Sequence, residues 1–274
     1  MPEGPEIRLA ADKIAKVLVN QRIVEVSFGL PALREFERPL AGCTVTGIDT
    51  RGKAMLTRFD NGLTLYSHNQ LYGRWYTTRR PDLPKTNRSL RVALHTDLHS
   101  ALLYSASDVN VLNDKELSQH AFLQRIGPDI LASDLTAEQV AMRLDSQKFR
   151  KRALASLYLD QSFLAGIGNY LRSEILWAAG VDPSKKPADL SPSALSTIAN
   201  KTLQISRRSY RTRGVTAAPT LVAQLKASGM KYQRYRFSVF GREGLPCYRC
   251  ETPVRRSTMG GRNIFVCSRC QPPK

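Results

Sequence analysis

The chain has 274 residues, 42% of them hydrophobic and 23% charged, and its 41 Lys or Arg against 23 Asp or Glu give a net charge of +18. That composition is globular and excludes a disordered or collagen-like chain. No apolar run approaches the ~18 residues of a membrane span. The opening Met1-Pro2-Glu3-Gly4-Pro5-Glu6 lacks the basic and apolar regions of a secretory signal, so a cytoplasmic location is expected.

The first predicted element is a helix over residues 7–19. Ile7, Ala10, Ala11, Ile14, Val17 and Leu18 recur at three and four residues, with Arg8, Asp12, Lys13 and Lys16 opposite. Short runs rich in Val, Thr, Leu and Tyr follow at 23–28, 43–49, 54–59, 63–67, 90–95 and 101–104, and Asp60-Asn61-Gly62 is a hairpin turn. They predict an antiparallel β-sandwich or barrel packed with the first helix. Beyond Gly127-Pro128-Asp129 the pattern turns helical, over 135–144, 149–159, 169–179 and 191–206, with start signals at Thr136-Ala137-Glu138 and Ser191-Pro192. Residues 211–230 show no firm period and read as a mobile connection. A β-rich tail covers 235–270. The expected class is α+β and multidomain, divided at 1–128, 129–234 and 235–274.

Charge is concentrated toward the end. Residues 201–274 carry 16 Lys or Arg and two acids, Glu243 and Glu251. A localised field of this size points to a polyanion, and nucleic acid suits it better than a membrane because no basic amphipathic helix accompanies it. A solvated basic surface is the bland alternative.

Four of the five cysteines form Cys247-x-x-Cys250 and Cys267-x-x-Cys270, 16 residues apart. Two thiolate pairs at this spacing suit one tetrahedral, structural Zn²⁺, because four sulfurs leave no open position. Two disulfides or a redox pair are the other readings, disfavoured without a secretory signal. So small a ribbon buries little, so the metal would supply its folding energy. A hairpin turning at Gly260-Gly261 would carry Arg255, Arg256 and Arg262, with Arg269 in the second cysteine loop, all suited to gripping phosphate. The aromatics of 231–237 are expected to be core. Cys43, in a predicted strand, reads as a buried small residue.

Between two helical patterns, Gly166-Ile167-Gly168-Asn169 allows a tight reversal, after which the free N–H groups of the next helix could hold a phosphate. A plain helix–helix connection would use the same glycines. At the start of the chain, Met1 precedes the small residue Pro2 and should be removed. The freed α-amine would titrate near 7.7–8.0, far below the ~10.4 of lysine, and so be a better nucleophile toward a sugar aldehyde at neutral pH. An ordinary solvated terminus is the alternative.

Pro2-Glu3-Gly4-Pro5-Glu6, Lys53 after Arg51-Gly52, the Gly166–Asn169 turn and the four-cysteine ribbon occur together and in order. Together they resemble the bacterial family of formamidopyrimidine-DNA glycosylases and endonuclease VIII over essentially the whole chain. Tyr66-Ser67-His68-Asn69-Gln70-Leu71-Tyr72-Gly73 fits the endonuclease VIII branch. The resemblance implies an N-terminal β-sandwich, a helix–two-turn–helix domain and a zinc β-hairpin. It implies a DNA glycosylase that also cleaves the strand at the abasic site, acting on oxidised pyrimidines in duplex DNA after flipping the nucleotide out. The chain is expected to act as a monomer, away from membranes, associated with the nucleoid through DNA.

The resemblance also assigns roles. Pro2 would attack the sugar C1′ and Glu3 would be the acid/base beside it, with Glu6 arranging the amine. Lys53 would donate a proton in β-elimination. Arg262 would clamp phosphates and assist δ-elimination, and Asn169 would bind the same backbone. Gln70, Leu71 and Tyr72 would fill the space left by the flipped base, where apolar and planar groups replace lost stacking. Arg125 matches a further DNA-contacting position. Cys247, Cys250, Cys267 and Cys270 would hold the zinc. Two other readings stay open: an oxidised-purine glycosylase of the formamidopyrimidine type, and a non-catalytic zinc-ribbon DNA-binding protein.

Overall fold

The computed structural model describes residues 2–273. Met1 lies outside the described residues, and with it the expectation of its removal. The chain forms two compact units, 1–125 and 126–274. Among the described residues no helix is long and apolar enough to cross a membrane.

In the first unit, helix α1 spans Gly4–Leu18, three residues ahead of the predicted start, because Pro5 near its head has its φ pre-set for the first turn. Eight strands follow: β1 Glu25–Phe28, β2 Val45–Arg51, β3 Ala54–Phe59, β4 Thr64–His68, β5 Arg74–Arg79, β6 Leu90–His95, β7 His99–Tyr104 and β8 Asp108–Leu112. A short helix α2, Glu37–Leu40, lies between β1 and β2. The strands make two antiparallel sheets, ordered β1-β6-β7-β5 and β2-β3-β4-β8. One core joins them: Ile7, Ile14 and Leu18 of α1 pack with Val92, Leu94 and Leu103 of one sheet and Val45, Met55 and Leu65 of the other. The sandwich expectation holds. Strands β5 and β8 are additional to the sequence prediction. Strand β5 runs through mostly polar residues and β8 alternates buried with half-buried ones, and pairing with β7 and β4 makes them strands. Cys43 is half-buried and sits just before β2, its thiol donating to the Pro39 carbonyl, so the expectation of a buried strand position is corrected. Helices α3 (Asp114–Gln119) and α4 (Ala121–Arg125) close the unit and cover Leu56 and Tyr66 on the outer face of the second sheet.

The second unit holds α5 (Ala137–Asp145), α6 (Leu154–Leu157), α7 (Asn169–Ala179), α8 (Pro192–Arg211), α9 (Pro219–Ala227), α10 (Tyr232–Tyr235) and the hairpin β9 (Arg255–Met259) and β10 (Arg262–Val266). Thr136 caps α5, its hydroxyl accepting from Gln139 N–H at 3.2 Å, and Ser191 caps α8 through Ala194 N–H. The predicted helix over 149–159 shrinks to α6. Its first residues, Leu154 and Ala155, donate their N–H groups to the carbonyls of Lys185 and Pro183, so a tertiary partner replaces the earlier helical turns. Residues 211–230, read as a mobile connection for want of a period, contain regular structure. The segment carries α9, whose Leu225 is buried, and it is pinned upstream where Thr216 Oγ1 donates to the buried Glu174 carboxylate at 2.6 Å. Of the predicted β-rich tail only the hairpin is strand; the cysteines sit on turns. The aromatics of 231–237 divide: Phe237 is buried, whereas Tyr232 is exposed.

Candidate active site and metal centre

Glu3 precedes the first turn of α1 and is buried, and Lys53 is buried on the two-residue turn between β2 and β3. Gly52 makes that turn at φ +63°, a left-handed conformation that glycine takes without strain. The Glu6 carboxylate accepts the Glu3 backbone N–H at 3.0 Å, so it fixes the peptide that joins Pro2 to Glu3. A carboxylate at the head of a helix is also favoured by the exposed N–H groups there.

The connection from β4 to β5 is a tight reversal. Gly73 N–H donates to the Asn69 carbonyl at 2.7 Å, and a Cβ on Gly73 would meet that oxygen at 2.5 Å, so only glycine fits. Ser107 Oγ donates to Gln70 Oε1 at 2.7 Å, and the Arg88 guanidinium holds the Tyr72 carbonyl. The reversal throws Leu71 and Tyr72 outward, 52% and 67% exposed. Leu71 and Tyr72 are thus two large, exposed side chains on a braced turn.

His68, at the end of β4, holds this turn from below, its Nδ1 accepting the Gln70 N–H at 3.1 Å. Burial lowers its pKa, Asp108 opposes that, and Lys53 lowers it further. A histidine held below its unfolded value of ~6.5 stays neutral while the unfolded chain takes up a proton. The associated stability is therefore whole above about pH 6.5 and is lost as pH falls through that value toward the folded pKa. Thermal midpoints measured across this range should drop toward acid, and His68→Gln should flatten the slope. His95 is lowered by burial too, so part of the slope persists. A variant slope equal to wild type would refute the assignment to His68.

In the second unit the glycine turn is sewn from within. Gln161 Oε1 accepts Gly166 N–H at 3.1 Å, and its Nε2 donates to the Ile167 carbonyl at 2.9 Å. A Cβ on Gly127 would meet the Ser162 and Phe163 carbonyls at 2.6 Å, so the chain passes there only as glycine. Asn169 then opens α7. Its Oδ1 accepts from Arg172 Nη2 at 2.7 Å. The same guanidinium, fully buried, donates to the carbonyls of Ala155 and Met259 at 2.9 Å, Asn263 at 3.0 Å and Arg262 at 3.3 Å. One arginine thus clasps the end of the β9–β10 hairpin to the turn that carries Asn169. Arg255, Arg256 and Arg262 stand exposed on the hairpin and Arg269 beyond it, with Arg256 paired to Glu243 at 3.1 Å. Arg125 is exposed in the first unit, its Nε on the Ala121 carbonyl.

The four sulfurs of Cys247, Cys250, Cys267 and Cys270 lie within 4.8 Å of one another, and all four cysteines are free. The closest separations are 3.3 Å for Cys250–Cys267 and 3.5 Å for Cys250–Cys270. A tetrahedral ion with sulfurs at ~2.3 Å spaces them by about 3.8 Å, so the set fits one metal ion. The thiols respond unequally to being crowded together. Hydrogen bonds from Thr252 lead in lowering Cys250 to about 6, whereas burial, then the neighbouring sulfurs, push Cys270 up. A bound cation resolves this conflict by favouring every thiolate.

Residues 1–114 match the formamidopyrimidine-DNA glycosylase N-terminal domain, and residues 126–218 match the H2TH domain of the same family. Endonuclease 8 of Klebsiella pneumoniae subsp. pneumoniae is 48% identical over 271 residues, covering 99% of this chain and 100% of the relative. The chain belongs to the endonuclease 8 family. Endonuclease 8 of Escherichia coli O17:K52:H18 is 46% identical over the same span. The chain shares its fold with the formamidopyrimidine-DNA glycosylase of Lactococcus lactis. That enzyme, in a crystal structure with DNA containing an oxidised pyrimidine, superposes at a TM-score of 0.82 with 22% identity, covering 99% of this chain and 100% of the other.

Three side chains that organise this family member escaped the sequence reading: His68, Arg172 and Glu174. The last two sit inside a helix that reads as apolar and amphipathic. A charged pair embedded among Leu171, Ile175 and Leu176 was the available signal, since such groups are buried only when fully partnered.

Proposed function

We propose that this chain is a base-excision-repair DNA glycosylase with abasic-site lyase activity, removing oxidised pyrimidines from duplex DNA through a Schiff base at Pro2. The observation that carries this reading is end-to-end identity near one half with endonuclease 8. With Met1 removed, the lone pair of the Pro2 nitrogen attacks C1′ and the bond from C1′ to the base breaks. Glu3 protonates the opening ring oxygen, leaving an iminium cation between Pro2 and the sugar. That cation acidifies the C2′ hydrogen, whose loss expels the 3′-phosphate, with Lys53 as proton donor. A second elimination releases the 5′-phosphate, assisted by Arg262. Glu6 orients the peptide beside the amine.

DNA is held by sequence-independent contacts, Asn169 and Arg262 on the backbone and Arg125 adding a further cation. The 16 basic residues of 201–274 supply a long-range field that weakens with salt. Gln70, Leu71 and Tyr72 fill the vacated stack. The four cysteines bind one Zn²⁺, which supplies folding energy to the hairpin and takes no part in the chemistry. The three functional parts divide at 1–128, 129–234 and 235–274, and the chain works as a monomer in the cytoplasm.

Release of thymine glycol and of 8-oxoguanine from otherwise identical duplexes tests the base preference. Thymine glycol is expected to be released at least about tenfold faster, a difference of ~1.4 kcal/mol in transition-state binding. A purine preference of that size would move the chain to the formamidopyrimidine type. Binding without release or strand cleavage would make it a non-catalytic DNA-binding protein.

A further inference from the structure

The second unit contains a cavity of about 320 Å³ that the repair chemistry does not use. It lies among α7, α8, α9 and the first cysteine loop. Trp177 and Ile205 line it with Leu221, and Lys201, Arg208 and Arg249 supply three cations. Trp177 is eight residues beyond Asn169, about 12 Å along α7 at ~1.5 Å per residue, so the cavity is separate from the glycine-turn phosphate position.

Two observations point to a ligand. First, Trp177 is 7% exposed and its buried indole N–H meets no acceptor among the described residues. A folded protein leaves few such donors, and one lining a cavity calls for a partner from outside the chain. Second, the cations are held in place by the fold. The Arg249 guanidinium stacks 4.0 Å above the Trp177 ring and donates to the Trp177 and Ala178 carbonyls at 3.3 Å. Arg208 Nη1 donates to the Thr216 carbonyl at 2.8 Å, and Lys201 Nζ to Gln204 Oε1 at 2.9 Å. The one acid in the lining, Glu174, already accepts from Thr216 Oγ1 and from the N–H groups of Ser238, Val239 and Phe240 at 2.6–2.9 Å. Its charge is committed to the fold, which leaves the cavity with an excess of positive charge beside apolar wall.

We propose that this cavity binds a small organic phosphate monoester of about mononucleotide size. Its phosphate lies among Arg208, Arg249 and Lys201, its uncharged ring lies against Ile205 and Leu221, and the Trp177 indole N–H donates to one of its oxygens. The volume stands near the lower end of small-molecule sites, ~300–1,000 Å³, and admits no duplex. Arginine pairs well with phosphate because its fork of donors matches two oxygens at once.

The test uses the full-length, metal-loaded chain without DNA, so its outcome is separate from that of the repair reading. Calorimetric titration with dTMP should give one site per chain, and one of the two tryptophan indole N–H resonances should shift on saturation. Thymidine, lacking the phosphate, should not bind. Arg208→Gln, and separately Lys201→Gln on the helix surface, should each weaken dTMP at least about tenfold with the thermal midpoint of the Lys201 variant unchanged. Inorganic phosphate binding as tightly as dTMP would reduce the cavity to an adventitious anion site and overturn the proposal. So would the absence of saturation up to about 10 mM dTMP, which would leave the indole to an ordered water.

Discussion

Borohydride added to this chain together with abasic duplex DNA is expected to trap a covalent adduct whose mass places the sugar on the N-terminal peptide. The reason lies in the ionisation of amines. An α-amino group near pKa 8 is about one-tenth neutral at pH 7, whereas a lysine near 10.4 is neutral in roughly one molecule in 2,500. Proline's secondary amine is somewhat more basic than the generic α-amine, which trims the advantage. It still condenses directly to an iminium cation, and hydride reduces that cation to a stable amine. The setting suits the role: Pro2 precedes the buried Glu3, and Glu6 pins the intervening peptide. Extending the chain by residues that cannot be removed turns the Pro2 nitrogen into a tertiary amide with no available lone pair. Trapping and strand cleavage should then fall at least about 10³-fold, some 4 kcal/mol of barrier at ~1.36 kcal/mol per decade. DNA binding should fall far less, because the phosphate contacts assigned to Asn169 and Arg262 lie elsewhere in the chain. An adduct on the peptide that carries Lys53, or full activity in the extended protein, would overturn the assignment of Pro2.

The Cys247→Ser chain is expected to lose its metal and most of its DNA affinity together. Cys247 is buried, and the sulfurs of all four cysteines lie within 4.8 Å of one another. The hairpin they terminate has little core of its own: Val254, Phe265 and the buried cysteines pack with Trp177 and Val239. Structural zinc contributes about 10–16 kcal/mol to small domains of this kind near neutral pH, more than such a cluster can replace. Without metal the hairpin should detach from the Arg172 clasp, and the exposed Arg255, Arg256, Arg262 and Arg269 would lose their fixed positions. Metal analysis should find one zinc per wild-type chain and none in the variant. Affinity for abasic duplex should drop at least about 100-fold, ~2.7 kcal/mol. Chelation of the wild type should reproduce the loss and added zinc restore it. Intact binding by metal-free protein would show that the hairpin folds without the ion.

Part of the candidate site was legible in the residues: the four cysteines expected to cluster do so, and the glycine turn ends where Asn169 opens α7. Glycine turns, paired cysteines and a proline at position 2 have chemistry that depends on spacing and residue type, and they can be read without a structure. The strands at 54–59 and 90–95 and the helix at 169–179 coincide with β3, β6 and α7 because their periodicity is strong and their ends carry turn residues. Several of the differences share one cause. The shortened helix around α6 and the strands β5 and β8 depend on partners distant in sequence. Examples are the Lys185 carbonyl that receives Leu154 N–H and the β7 edge that receives β5.

The same distinction separates the two levels of the protein. Local chemistry determined which groups exist: a proline at position 2, four thiols at metal spacing, a basic end, and a loop of Gln70, Leu71 and Tyr72. Only the folded chain decided which of them face water, which are buried, and what braces them. Leu71 and Tyr72 stand outward because Gly73 closes a reversal on Asn69. Asn169 and the hairpin are joined because a single guanidinium, Arg172, has enough donors to reach α6, α7 and both strands of the hairpin at once. Hydrogen bonds across some 90 residues of chain leave no periodic trace in a sequence, since they depend on where the backbone returns rather than on its local pattern.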